Sequence, residues 1–331
     1  MVSIRDVAKE AGVAISTVSK VLNNYPNITE ATKDKVNRAI KELNYVPNSI
    51  AAALSSKNPG RIAVIMDPTR QGMAEPEVYM QFLLGALDCG KELNLDIITV
   101  FFSMLNGLSG EDIIRYLRSR GVQGILVFGL TQEDRALRSV IMDEEFNTVL
   151  IDVPFQSESI TSVGIDHSRA QKEVALRALK ESPGPLKNVL YVAGKGTSFV
   201  TAERTKGMKE AAEELGLTLS IRYGDFSEVK ARGIAQVTGK DKDAVVCASD
   251  VMAIGVLKAF KELNISVPVC GFDGIALMGY LGEGMYTVKQ DFYDIADTAV
   301  KEVKRLMEGE SGRQVVMPHE VVKMKYLDVI K

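Results

Sequence analysis

The residues best suited to chemistry stand at the ends of apolar runs. Asp152 follows VLI, Asp250 follows AVVCAS, Asp273 follows VPVCGF, and Arg204 opens the helical stretch after NVLYVAG. Carboxylates and a guanidinium brought to one cleft suit a polyhydroxylated ligand, because each can engage two neighbouring hydroxyls. Tyr79 and Phe226 can supply apolar faces for a sugar ring or a base. An aspartate at a strand-to-helix turn can equally cap the helix. Asp250 is expected to cap, and Arg204 and Asp273 to bind ligand. The chain has two histidines. His167, near an expected crossover, reads as a structural hydrogen-bonder, and His319 lies near the C-terminus. No nucleophile–base pair and no metal spacing is visible, so no catalytic residue, metal or cofactor is expected. Gly194-Lys195-Gly196 after a strand hints at a dinucleotide loop, but position 199 is Phe and no third glycine follows. Cys89, Cys247 and Cys270 lack CxxC spacing and fit reduced thiols in a core.

Those residues need a frame, and residues 61–331 supply an alternation of apolar strands and helical stretches. RIAVIMD is followed by a helix over about Glu77–Leu93, then LDIITVFFS, a helix from Glu111, GILVFG, a helix from Gln132, and TVLIDVPF. A second round begins near Val163. It runs through a helix of about Ser168–Lys180, NVLYVAG, a helix of about Phe199–Leu215, LSIRYGD, and a helix of about Ser227–Thr238. AVVCASD, a helix of about Val251–Leu263 and VPVCGFD follow. A late helix of about Tyr293–Glu308 and the strand VVMPHEVV should complete the sheets. Two consecutive β/α rounds predict two parallel-sheet subdomains. Ligands in such sheets sit at the carboxyl ends of strands.

A length of 331 residues allows two or three domains. At 46% hydrophobic and 25% charged the composition is that of an ordinary globular protein. No run of about 18 apolar residues exists, so no membrane span is expected. The start, MVSIRDVAKEAG, is charged and has no apolar signal core, which predicts a cytoplasmic protein. Net charge is −3, but it is unevenly spread: residues 1–60 carry eight Lys/Arg and five acids, the rest 32 and 38. A basic head on an acidic body suits phosphate attraction.

The head has its own pattern. Ile4, Val7, Ala8 and Ala11 share one face of a short helix, Gly12 can make a tight turn, and Val18, Val21 and Leu22 mark a second helix over about Ile15–Asn23. Ala8, Gly12 and Val18 are spaced as two helices crossing near a right angle require. Thr29 can N-cap a third helix with Val36, Ala39, Ile40 and Leu43 on one face. IRDVAKEAGVAISTVSKVLNN and ITEATKDKVNRAIKELNYVPN closely resemble the head of the lac repressor/galactose repressor family over the first 55 residues.

The resemblance implies a helix-turn-helix whose second helix enters the major groove. Ile15, Ser16 and Lys20 would face base edges, with Lys20 able to donate to guanine and Ile15 limited to apolar contact. Thr17, Ser19, Asn23, Thr29, Thr32, Tyr45 and Asn48 match positions that touch the DNA backbone and orient the head. Ala14 stands where the family usually has a capping serine. The resemblance also implies a hinge helix that folds on DNA, with Ala51 and Leu54 at the minor groove and Leu54 wedged into a base step. Ala52 departs from the arginine many members carry there. Alone, Asn48–Ser56 is too short to be a stable helix.

The body resembles the same family's periplasmic-binding-protein-like effector domain. The fold class implied is an all-α helix-turn-helix head plus an α/β effector domain of two parallel-sheet subdomains. Residues 1–47 form the head, 48–60 the hinge helix and linker, and 61–331 the effector-binding and dimerisation domain. The N-subdomain covers about 61–163 and 291–317, the C-subdomain about 164–290 and 318–331. Arg204, Phe226, Asp273, Asp152 and Tyr79 match effector-contacting positions, and Ser249 stands where many members have asparagine. The resemblance implies a homodimeric, non-enzymatic regulator, expected to be a repressor. Its partners would be double-stranded operator DNA and a small-molecule effector, a sugar first and a nucleoside or nucleobase second. A sugar-binding protein without DNA regulation is the remaining alternative.

Overall fold

The computed structural model describes residues 4–22, 28–43, 60–66, 68, 76–182, 184–282 and 284–330. Asn23, Tyr45, Asn48, Ala51, Leu54 and the expected hinge helix lie outside the described residues. The chain divides into two compact units, Met1–Pro59 and Gly60–Lys331.

The head consists of α1 (Ile4–Ala11), α2 (Ile15–Leu22) and α3 (Glu30–Glu42). Helices of 8, 8 and 13 residues are marginal alone, so burial must hold them. Val7, Ala8, Val18, Val21, Val36 and Ala39 form that common core. Gly12, at φ +63°, makes the turn, and the Val13 N–H donates to the Ala8 carbonyl at 3.0 Å. Thr29 holds the N-cap position of α3 but not as expected. Its hydroxyl makes no capping bond to a backbone N–H and instead meets the Thr32 hydroxyl, within the first turn, at 2.9 Å.

The body holds two six-stranded sheets. The first contains β1 (Arg61–Met66), β2 (Asp96–Phe101), β3 (Val122–Phe128), β4 (Asn147–Ile151), β5 (Ile160–Ile165) and β11 (Gln314–Met317). They lie in the order β11-β5-β4-β3-β1-β2, and all pairs are parallel. The second contains β6 (Asn188–Ala193), β7 (Thr218–Tyr223), β8 (Ala244–Cys247), β9 (Val269–Cys270), β10 (Met285–Lys289) and β12 (Glu320–Met324). Their order is β12-β10-β9-β8-β6-β7, with only β12 antiparallel. Central strands such as IAVIM in β1 are buried throughout, as sheets covered on both faces demand.

The covering helices are α4 (Pro76–Glu92), α5 (Phe102–Leu105), α6 (Gly110–Arg118), α7 (Arg135–Met142), α8 (His167–Lys180), α9 (Phe199–Glu214), α10 (Glu228–Thr238), α11 (Asp250–Leu263) and α12 (Phe292–Met307). α12 packs on α4 and the first sheet, although it follows β10 of the second. The chain therefore crosses between sheets at Asp166, at Gln290–Asp291 and at Pro318–His319.

Three segments depart from expectation. The run LDIITVFFS ends as a strand at Phe101, and Phe102 and Leu105 then bury themselves three residues apart on a single helical turn. The helix expected from Gln132 starts at Arg135. The Asp134 carboxylate first ties down a loop by accepting from the Thr131 N–H (2.8 Å) and hydroxyl (2.7 Å). VVMPHEVV is two strands, one in each sheet, because Pro318 has no N–H to continue a ladder.

Candidate functional site

On α2 the apolar and polar positions separate cleanly. Val18 and Val21 point into the head core, while Ile15, Ser16 and Lys20 are exposed and Thr17 and Ser19 half-buried. Ile15 keeps 45% of its surface exposed. The Ala14 carbonyl accepts from the N–H groups of Thr17 (2.9 Å) and Val18 (3.2 Å). Alanine adds no side-chain acceptor, so the helix start has no side-chain cap from that position. Thr29 is exposed and Thr32 half-buried at the start of α3.

In the body the carboxyl ends of both sheets face one cavity. Tyr79, Phe128, Ile151, Asp152, Phe199, Arg204, Phe226, Asp273 and Phe292 line it, and about 70 Å³ of it is accessible to water. Five of the expected residues, Tyr79, Asp152, Arg204, Phe226 and Asp273, are thus brought together. Phe128, Phe199 and Phe292 were not singled out beforehand. Each stands at a strand end or helix start, which is the available signal.

A chain of close polar contacts runs along this cavity, joining its Asp152, Arg204 and Asp273 through His167, which does not line it. Arg204, 5% exposed, lies in the second turn of α9. Its Nη1 donates to the Ala248 carbonyl at 2.5 Å and lies 3.2 Å from Asp273 Oδ1. Its Nε donates to His167 Nδ1 at 3.3 Å, and its guanidinium rests 3.7 Å from the centre of the Phe272 ring. His167 Nε2 lies 2.9 Å from Asp152 Oδ1. Burial holds the His167 imidazole below its ordinary pKa of 6.5, against the pull of Asp152. A neutral ring that accepts at Nδ1 carries its proton on Nε2, which comes close to Asp152 Oδ1 without the alignment of a hydrogen bond. Gln290 Nε2, at a crossover, completes the chain by donating to Asp273 Oδ1 at 3.3 Å. Asp152 and Arg204 belong to opposite subdomains, so His167 is the connector that residue-type reasoning treated as merely structural.

The backbone at this site is strained. Asp152 (φ +58°), Phe226 (+55°) and Asp273 (+117°) all occupy left-handed conformations. Such strain persists only where surrounding structure fixes it, and it concentrates at functional sites. Gly194 shows one such constraint. A Cβ there would come within 2.0 Å of the Phe226 ring. This glycine, whose loop only hints at dinucleotide binding in the sequence, therefore makes room for an aromatic wall.

Two neighbouring assignments are exchanged. Ser249, expected at the effector, is 3% exposed, caps α11 by accepting from the Met252 N–H (3.4 Å), and does not line the cavity. Asp250, expected to cap, is wholly buried. It accepts from the N–H groups of Gly274 (2.7 Å) and Ile275 (3.0 Å) and from the Thr287 hydroxyl (2.7 Å). It anchors the loop that carries Asp273. Burial and the adjacent Asp273 push its carboxyl well above the usual range, against those three donors.

The subdomains are clasped across the cleft. The Gln132 N–H donates to the Thr197 carbonyl at 3.0 Å, Thr131 and Ser198 form an antiparallel bridge, and Lys195 Nζ meets Glu133 Oε2 at 2.5 Å. Elsewhere the Glu77 carboxylate accepts from the Ala276 N–H at 3.1 Å. Among the described residues no cluster of metal-ligating side chains occurs, and no helix is long and apolar enough to cross a membrane.

Comparison with known proteins agrees with both units. Residues 3–48 match the family described as bacterial regulatory proteins, lacI family, and residues 186–324 match a periplasmic binding protein-like domain. Catabolite control protein A of Staphylococcus aureus (strain MRSA252) is 28% identical over 335 residues, covering 97% of each chain. The HTH-type transcriptional regulator RegA of Clostridium saccharobutylicum is 28% identical over 333 residues, again covering 97% of each. Among solved structures, the lac repressor dimer bound to operator and the anti-inducer ONPF superposes with a TM-score of 0.80 at 23% identity, covering 98% of each chain. The transcriptional regulator CelR–cellobiose complex gives 0.69 at 23%, covering 97% of this chain and 98% of the other. Residues 3–48 thus match the lacI family of bacterial regulatory proteins, and the chain is a DNA-binding transcription regulator.

Proposed function

We propose that this regulator is controlled by a sugar bound in the cleft between its two sheets. The observation that carries the reading is the Asp152–His167–Arg204–Asp273 chain flanked by Tyr79, Phe128 and Phe226. Its outer carboxylates and guanidinium suit vicinal hydroxyls, and its rings suit the apolar face of a pyranose. The lac repressor and CelR structures, whose ligands are ONPF and cellobiose, support the same class. The aromatic walls also favour a second reading, a flat nucleobase held between rings.

In the proposed mechanism the effector makes different contacts in open and closed cleft states and so shifts their balance. A homodimer presents two heads to a pseudo-palindromic operator. Ile15, Ser16 and Lys20 read base edges, and Thr17, Ser19, Thr29 and Thr32 contact the backbone. Asn23, Tyr45, Asn48, Ala51 and Leu54 retain their expected DNA roles within this proposal. A thermal-shift screen of the full chain against sugars, sugar phosphates and purines tests the effector class. A ligand at a hundred times its dissociation constant adds about 2.7 kcal/mol of stability. Stabilisation by purines alone would replace the sugar reading with the nucleobase one, and stabilisation by none would overturn both.

A further inference from the structure

Of the groups joined along the cleft, only His167 is of a type that titrates near neutral pH. It is the first residue of α8, directly after the Asp166 crossover between the sheets, and is 5% exposed. Its Nδ1 accepts from Arg204 Nε at 3.3 Å. Its Nε2 is buried 2.9 Å from Asp152 Oδ1, and neither of these two atoms makes an aligned hydrogen bond. The Phe272 ring stacks on the imidazole, with centroids 5.9 Å apart. The ionisable groups facing the ring are Asp152 after β4, Asp166 at the start of its own helix and Arg204 from α9, with Asp273 beyond the guanidinium. Burial depresses the pKa of the ring from 6.5; Asp152 and Asp166 oppose that shift and Arg204 adds to it. A water-accessible cavity of about 500 Å³, distinct from the cleft cavity, is lined by both Asp152 and His167 and brings solvent beside the ring. Lys172, Glu203, Lys206 and Glu210 line it as well.

The contact with Arg204 works in one protonation state only. A guanidinium N–H donates and never accepts, so Nδ1 holds it only while that nitrogen lacks a proton. A proton taken up at Nδ1 sets donor against donor and places a second positive charge 3.3 Å from Nε. We infer that His167 is the positioning residue for Arg204, and that its protonation detaches the guanidinium Nε and breaks the link from Arg204 toward Asp152. The bonds from Nη1 to the Ala248 carbonyl and Asp273 then hold the guanidinium at one corner alone. The consequence for ligand rests on the sugar reading of the cleft. A sugar held by the positioned Arg204 competes with the proton, so its affinity should fall by up to about tenfold per pH unit below the His167 midpoint.

The test uses the full chain labelled in its histidine rings and arginine Nε atoms, followed by NMR from about pH 8 to about pH 5. The chain has two histidines, and His319→Asn assigns them. His167 should titrate below pH 6.5. One arginine Nε–H signal, missing from Arg204→Lys, should move to the position of an unbonded guanidinium with the same midpoint. Asparagine carries an oxygen where histidine carries Nδ1, and it does not titrate. His167→Asn should therefore keep the Arg204 signal in its bonded position through the whole range, which a merely space-filling role does not predict. A His167 that titrates while every arginine signal stays put, or the same movement in His167→Asn, overturns the inference. If His167→Asn does not fold, the native titration decides alone. Sugars that raise the melting temperature at about pH 7.5 should raise it less at about pH 5.5 in the native protein and equally in His167→Asn. Equal shifts at both pH values in the native protein overturn the consequence for ligand. Stabilisation by no sugar at either pH overturns the sugar reading, while the arginine signal still decides the role of His167.

Discussion

Ile15, Ser16 and Lys20 project from α2 as exposed side chains, whereas Arg204 is 5% exposed and fixed by Ala248, Asp273, His167 and Phe272. The two proposed recognition surfaces are thus prepared in opposite ways. A helix destined for a DNA groove can leave its readers mobile, because many phosphate contacts orient the head before any base is read. A small ligand offers few contacts, so its site must hold polar groups in place before binding. Changes on α2 should therefore alter recognition with little effect on folding. Changes in the cleft should alter both.

The largest expected effect comes from Arg204→Ala. It removes the charged partner of Asp273, leaving that carboxylate the Gln290 donor, and the donor to the Ala248 carbonyl, and should cost about 3–5 kcal/mol in denaturant unfolding. Response to a cleft ligand should vanish while operator binding without ligand persists. Equal stability of the variant would mean that Arg204 does not hold the polar groups of the cleft in place. Lys20→Ala is next. It should weaken operator binding by about 1–3 kcal/mol and relax preference at one base pair, with an unchanged melting temperature. Loss of folding instead would erase the contrast between the surfaces. Ala14→Ser supplies the missing cap and should stabilise the isolated head transition by about 0.5–2 kcal/mol in calorimetry. No gain would show that α2 is already capped by another group. The smallest effect is expected for Glu133→Ala, which removes a partly exposed ion pair across the cleft, worth about 0.2–1 kcal/mol. Small-angle scattering of ligand-free protein should then show a slightly more open body, with the Gln132–Thr197 bond still favouring closure.

The same contrast explains what was legible beforehand. The turn Ala8–Gly12–Val18 is a local pattern, and the head follows it, with Gly12 left-handed and Ala8 and Val18 buried. The apolar runs of the body likewise place most strands, since a strand buried on both faces has little compositional choice. What escaped depends on distant partners. His167 joins Asp152 to Arg204 only because a crossover sets it between two sheets. Gly194 serves Phe226, thirty-two positions later. Ser249 and Asp250 exchange roles because the loop at Gly274 and Ile275 reaches Asp250 first. VVMPHEVV reads as one strand by composition, yet its halves join different sheets, a division that the subdomain bounds implied by the family resemblance place at 317/318 and that local alternation does not show. Thr29 has the type and place of a cap, but Thr32 competes for its hydroxyl.

The most direct test of the central claim, that occupancy of the cleft sets the affinity of the head for DNA, is one paired titration. DNA fragments selected from the source genome by the full chain are labelled, and binding is followed by anisotropy with and without each stabilising sugar, for the native protein and Arg204→Ala. A change of about tenfold or more in operator affinity for the native protein, absent in Arg204→Ala, is the predicted result. An identical response in both proteins, or unchanged affinity in the native protein with the cleft saturated, would contradict it.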